Sequence, residues 1–105
     1  MNKMVFVYIW EYFVKEEFIE EFKSIYDSNG DWVKLFKKAD GYKSTDLHQD
    51  ISDPKRFITV DVWDSKKDRD NFNYKFSREF KQLDDRCENL TNSEKLIGDF
   101  NSSLG

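Results

Sequence analysis

Residues 56–63, RFITVDVW, alternate between two kinds of side chain, and this alternation decides the fold. Neighbouring side chains of a β-strand point to opposite faces, so Ile58, Val60 and Val62 share one face. The opposite face carries Phe57, Thr59, Asp61 and Trp63. We therefore predict a strand with an aliphatic face and a ring-bearing face that also holds a carboxylate.

The residues before this strand predict a hairpin. SDPK at residues 52–55 has the Asp-Pro composition of a tight turn. GYKSTDLHQDI at residues 41–51 is then a more polar strand that pairs with RFITVDVW. Upstream, DWVKLFKKAD at residues 31–40 predicts a short helix that ends at Gly41, where a left-handed cap costs little.

An earlier strand is predicted at residues 4–14, MVFVYIWEYFV, because they are β-branched and aromatic throughout. Its aliphatic face carries Val5, Val7 and Ile9, and its ring-bearing face carries Phe6, Tyr8 and Trp10. Both faces are apolar, so we expect both to be covered.

Two helical segments and a closing strand complete the pattern. Helical spacing predicts a first helix in residues 15–27, and Ser65 with Asp68 is typical of an N-terminal cap of a second one. This second helix has one apolar stripe: Phe72, Phe76, Phe80, Leu83, Cys87 and Leu90. Residues 93–100 predict a last strand, and residues 101–105 a frayed tail.

The order strand, helix, strand, strand, helix, strand predicts an α+β ferredoxin-like fold, an antiparallel sheet with helices on one face. A chain of 105 residues is expected to form a single domain, residues 1–105. The other face of the sheet would expose a broad apolar patch in a monomer, so we expect a homodimer.

Composition excludes several function classes. Seventeen basic and 21 acidic residues give a net charge of -4, which disfavours nucleic acid. The strand at residues 56–63, third along the chain, also lacks the glycine of an RNA-recognition motif. The single cysteine and the early charge at Glu11 indicate a cytoplasmic protein without a membrane span. The four glycines form no dinucleotide or phosphate fingerprint, so no cofactor is expected.

The sequence resembles the antibiotic biosynthesis monooxygenase family over nearly its whole length. The resemblance lies in VKEEFIEEF at residues 14–22, GY at 41–42, the hairpin TDLHQDISDPKRFITVDVWDS at 45–65, and LDDRCENLTNSEKLIGDF at 83–100. Its most specific feature is a strand ending in Trp63, followed by a helix-capping Ser. The family forms dimeric α/β barrels from two ferredoxin-like sheets, so the resemblance implies that architecture here.

The resemblance also implies candidate chemistry. Family members include cofactor-independent oxygenases of aromatic or quinol-like compounds and haem-degrading enzymes. The latter carry a His on the second long helix and an Asn on the first strand, where this chain has Phe80 and, nearby, Trp10. Haem is therefore not expected. The strand-end Trp of the oxygenases is Trp63, and the Asn that some carry four residues earlier is Thr59.

These observations predict a cavity between sheet and helices, with Asp61, Trp63 and Thr59 as catalytic candidates. A desolvated Asp61 would have a raised pKa and could act as a general base toward a phenol, using dioxygen as co-substrate. Ring contacts to a small aromatic molecule would come from Tyr8, Trp10, Phe57, Phe76 and Phe80. Alternatively, Trp63 is a core residue and Asp61 a strand-edge carboxylate paired with Arg56 or a lysine, in a non-catalytic binding or sensing protein.

Two further residues were weighed as sites. Cys87 lies in the apolar stripe of the second helix, so we expect a packed side chain and not a nucleophile. His48 is the only histidine and is in phase with Asp46 and Asp50 on the polar strand. Three such residues make a weak metal site, so we expect no metal and a solvated His48.

Overall fold

A computed structural model describes residues 3–104 of the chain. It contains four strands and four α-helices: β1 (Lys3–Val14), α1 (Ile19–Tyr26), α2 (Asp31–Phe36), β2 (Tyr42–Gln49), β3 (Arg56–Trp63), α3 (Lys66–Lys75), α4 (Ser77–Cys87) and β4 (Thr91–Leu104). Single 3-10 turns, Glu16–Phe18 and Glu88–Leu90, precede α1 and follow α4.

The strands form one antiparallel sheet in the order β2-β3-β1-β4. This arrangement confirms the α+β, ferredoxin-like prediction, including the hairpin of β2 and β3. The register of β1 and β3 places Phe6 opposite Trp63, Tyr8 opposite Asp61 and Trp10 opposite Thr59. The ring-bearing faces of the two central strands therefore coincide, as the alternation predicted.

The hydrophobic core lies between this inner face of the sheet and the helices. It is mainly aromatic, since rings from β1, α1, α2, β3 and α3 pack on one another. Phe22 of α1 is fully buried and stacks on Tyr26 with ring centroids 4.1 Å apart. The outer face of the sheet carries Ile58, Val60 and Val62 of β3, which remain partly exposed.

The second long helix differs from the prediction because it is two helices. It begins as expected, with the Ser65 hydroxyl accepting a hydrogen bond from the Asp68 N–H at 3.1 Å. At Phe76 the backbone leaves helical geometry, with φ −111° and ψ 27°. Phe72 is the buried residue of α3, whereas α4 buries Leu83 and Cys87. The two halves are anchored separately, and the stripe is not continuous.

The C-terminal strand is longer than predicted. Residues 101–104 are not frayed but continue β4 and pair with the start of β1, so that Asn101 lies opposite Phe6. Further along, Gly98 pairs with Ile9 while Leu96 pairs with Trp10, which leaves Ile97 as an extra residue in a bulge. Gly105 of the predicted tail lies outside the described residues.

Gly41 has the left-handed backbone that the sequence predicted, but it does not cap the helix α2 as predicted. Its φ is +86°, yet α2 already ends at Phe36, so Gly41 belongs to the turn before β2 and not to the helix cap. Its carbonyl accepts a hydrogen bond from the Asp64 N–H at 2.7 Å. A side chain at this position would also collide with Asp68. The glycine therefore lets the turn approach the start of α3.

Candidate active site

A cavity of about 260 Å3 opens between the inner face of the sheet and the helices. Its sheet wall is formed by Tyr8, Trp10, Tyr12, Thr45, Thr59 and Asp61. The helices contribute Tyr26, Trp32, Phe36, Arg69, Asn73 and Phe80, and acidic side chains line it at Asp84 and Glu94. The volume lies just below the usual range of small-molecule sites, about 300–1,000 Å3, and suits a small, flat ligand.

Asp61 lies at the floor of this cavity, in the middle of the central strand β3, and only 4% of it is exposed. Its cross-strand neighbours are Tyr8 on β1 and Thr45 on β2. Burial raises the pKa of the carboxyl to about 7, although the Thr45 hydrogen bond and the charge of Arg69 both act to lower it. The group is therefore poised to exchange a proton near neutral pH.

The alternative of a strand-edge Asp61 paired with Arg56 is wrong. The Arg56 guanidinium instead binds Glu11 at 2.8 Å and Asp50 at 3.0 Å. Side chains alternate along β3, so Arg56 and Asp61 belong to opposite faces of the sheet. Asp61 therefore faces the interior of the domain and makes no ion pair with Arg56.

Hydroxyl groups make hydrogen bonds to Thr59 and Asp61, the two inward-facing polar residues of β3. The Thr45 hydroxyl donates a hydrogen bond to the Asp61 carboxylate and accepts one from the Tyr42 hydroxyl at 2.8 Å. On the same face, the hydroxyls of Tyr12 and Thr59 are 3.3 Å apart. A chain of hydroxyls thus leads from the buried carboxylate to Tyr42, which is only partly buried.

Buried tyrosines surround these groups. Burial raises the pKa of Tyr8, Tyr12 and Tyr26 well above the ordinary value, and the negative charge of Asp61 adds to the effect on Tyr8 and Tyr12. All three phenols stay protonated across the physiological range. They can donate hydrogen bonds into the cavity but cannot act as bases there.

Arg69 supplies positive charge to the same wall. It projects from the first turns of α3, and its side chain is 17% exposed. The guanidinium carbon lies 4.8 Å from the ring centroid of Tyr8 and 5.3 Å from that of Phe6. These distances are within the range of cation–π attraction, so two aromatic rings hold the cation against the sheet.

The structure separates the predicted site residues into two groups. Asp61, Thr59, Tyr8, Trp10 and Phe80 line the cavity, the last with its ring edge against Trp32 at 5.0 Å. Trp63, Phe57 and Phe76 do not line the cavity, because their rings pack against other aromatic side chains.

Trp63 is fully buried, and its rings pack against Phe36 and Tyr42 beneath the cavity wall. Its indole N–H lies near the Tyr8 hydroxyl but in a geometry too poor for an ordinary hydrogen bond. Phe57 is 1% exposed and packs on Phe22, and Phe76 stacks on Phe72 outside the cavity. The core interpretation of Trp63 therefore fits its position better than a role in the cavity wall.

Several cavity residues were missed by sequence reasoning. Thr45 could have been found, since it lies opposite Asp61 if the predicted hairpin is given its register. Arg69 carried no signal, because it is one charge in the polar run KKDRD of α3. Tyr26 and Trp32 lie in the two segments predicted as helices, and neither was assigned a place in the cavity.

The remaining candidates, Cys87 and His48, are placed as expected, since Cys87 is packed and His48 is exposed. Cys87 is 3% exposed, and burial raises the pKa of its thiol. His48 is exposed on β2, away from the cavity. Across residues 3–104, no group of three or more His, Cys, Asp or Glu side chains is arranged to hold a metal ion. In the same residues, no helix is both long and apolar enough to cross a membrane.

Solved structures of low sequence identity share this fold. A conserved protein from Methanosarcina mazei is 14% identical and superimposes with a TM-score of 0.71, covering 93% of this chain and 92% of that one. A protein from Nitrosomonas europaea named for the antibiotic biosynthesis monooxygenases is 18% identical, with a TM-score of 0.66 and coverage of 100% and 91%. One from Bordetella bronchiseptica, named likewise, is 17% identical, with a TM-score of 0.68 and coverage of 97% and 99%.

Sequence comparison identifies the family of the chain, whereas the structural matches show only its fold. No curated protein is significantly similar to the chain. The family model described as antibiotic biosynthesis monooxygenase, however, matches residues 4–83, from the first residues of β1 to Leu83 in α4. This match includes β1, β2 and β3, which carry the sheet wall of the cavity. The chain belongs to the antibiotic biosynthesis monooxygenase family.

Proposed function

We propose that the protein is a cofactor-independent monooxygenase that oxidises a small phenolic or quinol-like aromatic molecule. The observation that carries this proposal is Asp61, a nearly fully buried carboxyl with a pKa raised to about 7 at the floor of a ring-lined cavity. A carboxyl group whose pKa lies near neutral pH, in a concave site lined by aromatic rings, has the properties of a general base. Membership of a monooxygenase family supports the assignment.

In the proposed reaction, Asp61 first takes a proton from the aromatic substrate. The resulting anion is electron-rich and transfers electrons directly to dioxygen, forming a hydroperoxide at an activated ring carbon. For an anthrone-like substrate, loss of water then converts the methylene to a carbonyl. One oxygen atom ends in the product and the other in water, and the methylene carbon supplies all four electrons. The substrate is its own reductant, so the scheme needs no cofactor.

The cavity wall would favour this sequence in two ways. Tyr8, Trp10, Tyr12 and Trp32 present flat rings to a flat ligand, and such contacts contribute about 0.5–1.5 kcal/mol each beyond buried area. The rings also limit the water that could quench a reactive anion.

We expect enzyme-dependent oxygen consumption with some member of a panel of anthrones and quinols. Asp61→Asn should lower the rate about 100-fold or more, the usual contribution of a general base. Because the Asp61 pKa is about 7, the wild-type rate should rise with pH through that value as the carboxylate forms. An oxygen electrode measures both, with and without added flavin or metal.

The matched control is Asp46→Asn, the same change at an exposed position of β2 that lies outside the cavity. Its rate should equal that of the wild type. Saturable binding of the aromatic compounds without any enzyme-dependent oxygen uptake would contradict the proposal and identify a binding or sensing protein.

We further propose that the protein is a homodimer joined through the outer face of its sheet. This face presents partly exposed Ile9, Ile58, Val60 and Val62, and beside them the 46% exposed Phe100. Sedimentation at micromolar concentration should give about twice the 12.7 kDa mass of one chain. Val60→Lys, which places a charge in the middle of the apolar face, should give a monomer. A wild-type monomer would refute this assembly.

A further inference from the structure

We propose that Arg69 is the anion-binding residue of the cavity, and that the ligand's ionised hydroxyl oxygen lies between the Arg69 guanidinium and the Asp61 carboxyl. This inference rests on the proposed function, since it assigns the group that stabilises the anion formed there. It makes Arg69 a residue that selects phenols by their ability to ionise.

The first support is that Arg69 is a cation whose hydrogen-bonding capacity is not used up. Its Nε is buried and makes no well-aligned hydrogen bond among residues 3–104, because its contact with the Asp70 carboxylate is long, at 3.4 Å. A second contact, from a terminal guanidinium nitrogen to Asp99, is 3.9 Å long. Strong charge-assisted hydrogen bonds are about 2.7–2.9 Å long. Asp70 makes its own close contact elsewhere, at 2.7 Å to Lys66.

The second support is the position of Arg69 relative to Asp61. Its charge is close enough to act on the Asp61 carboxyl, and both side chains line the cavity. The rings of Phe6 and Tyr8 hold the guanidinium in place, and Tyr8 is the direct cross-strand neighbour of Asp61. A hydroxyl oxygen that gives its proton to Asp61 would therefore become an anion within reach of a fixed cation. Such preorganised charge is an effective way to stabilise a developing anion.

The third support is that the cavity is electrically asymmetric. Glu94 lies opposite Tyr12 on β1. Tyr12 is four residues from Tyr8, and four residues of an extended strand span about 13 Å. Burial and the neighbouring charge of Asp84 raise the pKa of Glu94. Two carboxyl groups thus line that end of the cavity, whereas the guanidinium of Arg69 lies beside Asp61 at the other end. The arrangement favours a ligand with one anionic end and a neutral remainder.

A binding experiment without oxygen tests the assignment. 4-Nitrophenol is titrated with protein under nitrogen between pH 5 and 9, and absorbance distinguishes the bound phenolate from the bound phenol. An opposite charge within about 4–6 Å shifts a pKa by about 1–3 units. The wild type should therefore bind the phenolate at pH 6, with the pKa of the bound phenol below that in water.

Variants isolate the role of the guanidinium. Arg69→Met keeps an apolar stem over the rings but should remove the shift and weaken phenolate binding about tenfold or more. Arg69→Lys should retain part of the shift. The matched control is Arg78→Met, which loses the same charge at an exposed position of α4 outside the cavity and should behave as the wild type.

A comparison within the wild type covers the case in which Arg69→Met fails to fold. At pH 6, where Asp61 keeps its proton, the protein should bind 4-nitrophenol at least tenfold more tightly than 4-nitroanisole, which has similar shape but no ionisable hydroxyl. Equal affinity for the two compounds would overturn the inference, as would a folded Arg69→Met with an unchanged bound-phenol pKa. These measurements are independent of turnover. Phenolate binding without oxygen uptake would refute only the monooxygenase proposal, and uptake unaffected by Arg69→Met would refute only the role of Arg69.

Discussion

Asp61→Asn should stabilise the folded protein at pH 8 by about 4 kcal/mol at most and have little effect near pH 4. The folded-state pKa of about 7 lies about three units above the ordinary value of 3.8. Each unit corresponds to about 1.4 kcal/mol. Asparagine retains an oxygen that can accept the Thr45 hydrogen bond, but it carries no charge that burial could penalise.

The direction of the pH dependence follows from proton binding. Below the unfolded-state pKa, Asp61 is neutral in both states and carries no penalty. As the pH rises from about 4 to 7, the unfolded chain releases this proton while the folded protein keeps it, so the wild type loses stability. Above about pH 7 the carboxylate is charged inside the fold and the full penalty applies. The advantage of Asp61→Asn should therefore grow over this interval and then level off.

Urea unfolding at pH 4.5 and pH 8, at one fixed protein concentration, measures the effect, with Asp46→Asn as the exposed control. A gain that is the same at both pH values would mean that Asp61 titrates normally. A large loss of stability at pH 8 would show instead that the carboxylate is held by favourable contacts. Either result would remove the physical basis for a general base at this position.

Trp63→Ala should lower the free energy of unfolding by about 3–5 kcal/mol, the usual cost of deleting a large buried ring. Trp63 is fully buried among the rings of Phe36, Tyr42 and Phe72. Removal of the indole would leave a cavity that these rings could fill only by rearranging. Chemical denaturation followed by far-ultraviolet circular dichroism measures the loss.

The matched control is Trp10→Ala, because Trp10 is only partly buried and lines the cavity. It should lose less stability than Trp63→Ala and more affinity for an aromatic ligand. The reverse pattern, with Trp63→Ala stable but unable to bind ligand, would restore Trp63 to the cavity wall and contradict the position that packing gives it.

The sheet was predictable because strands repeat every two residues. Once Val5, Val7 and Ile9 are assigned to the same face as Ile58, Val60 and Val62, the rings and Asp61 must share the other face. The register that places Tyr8 opposite Asp61 confirms this deduction.

The bulge at Ile97 shows where such counting fails. An extra residue changes the phase of the alternation, so Leu96 pairs with the inward-facing Trp10 while Phe100 pairs with Val7 on the outer face. An isolated glycine, Gly98, lies beside the bulge and is a sequence signal for such an irregularity, but it does not tell which residue is the extra one.

The helices were less predictable, because helical spacing does not reveal where a long helix bends. One stripe through Phe72, Phe76 and Phe80 is compatible with a single helix, whereas the backbone breaks at Phe76, next to the turn that buries Phe72. Arg69 could not be recognised for a similar reason. Its importance comes from a neighbourhood supplied by two strands, and in the sequence it is indistinguishable from the solvated charges beside it.

The separate anchoring of α3 has a consequence for how a ligand reaches the cavity. Among the residues of this helix, Phe72 is the one that is buried, and it packs on Phe36 and Trp63. Local opening of α3 would therefore uncover these rings together with Phe72, at a cost below that of unfolding the whole domain. Arg69 belongs to α3, so it would move with the helix in such an opening. The segment that provides the positive charge would thus also admit the ligand, and an anion bound to Arg69 would hold it shut.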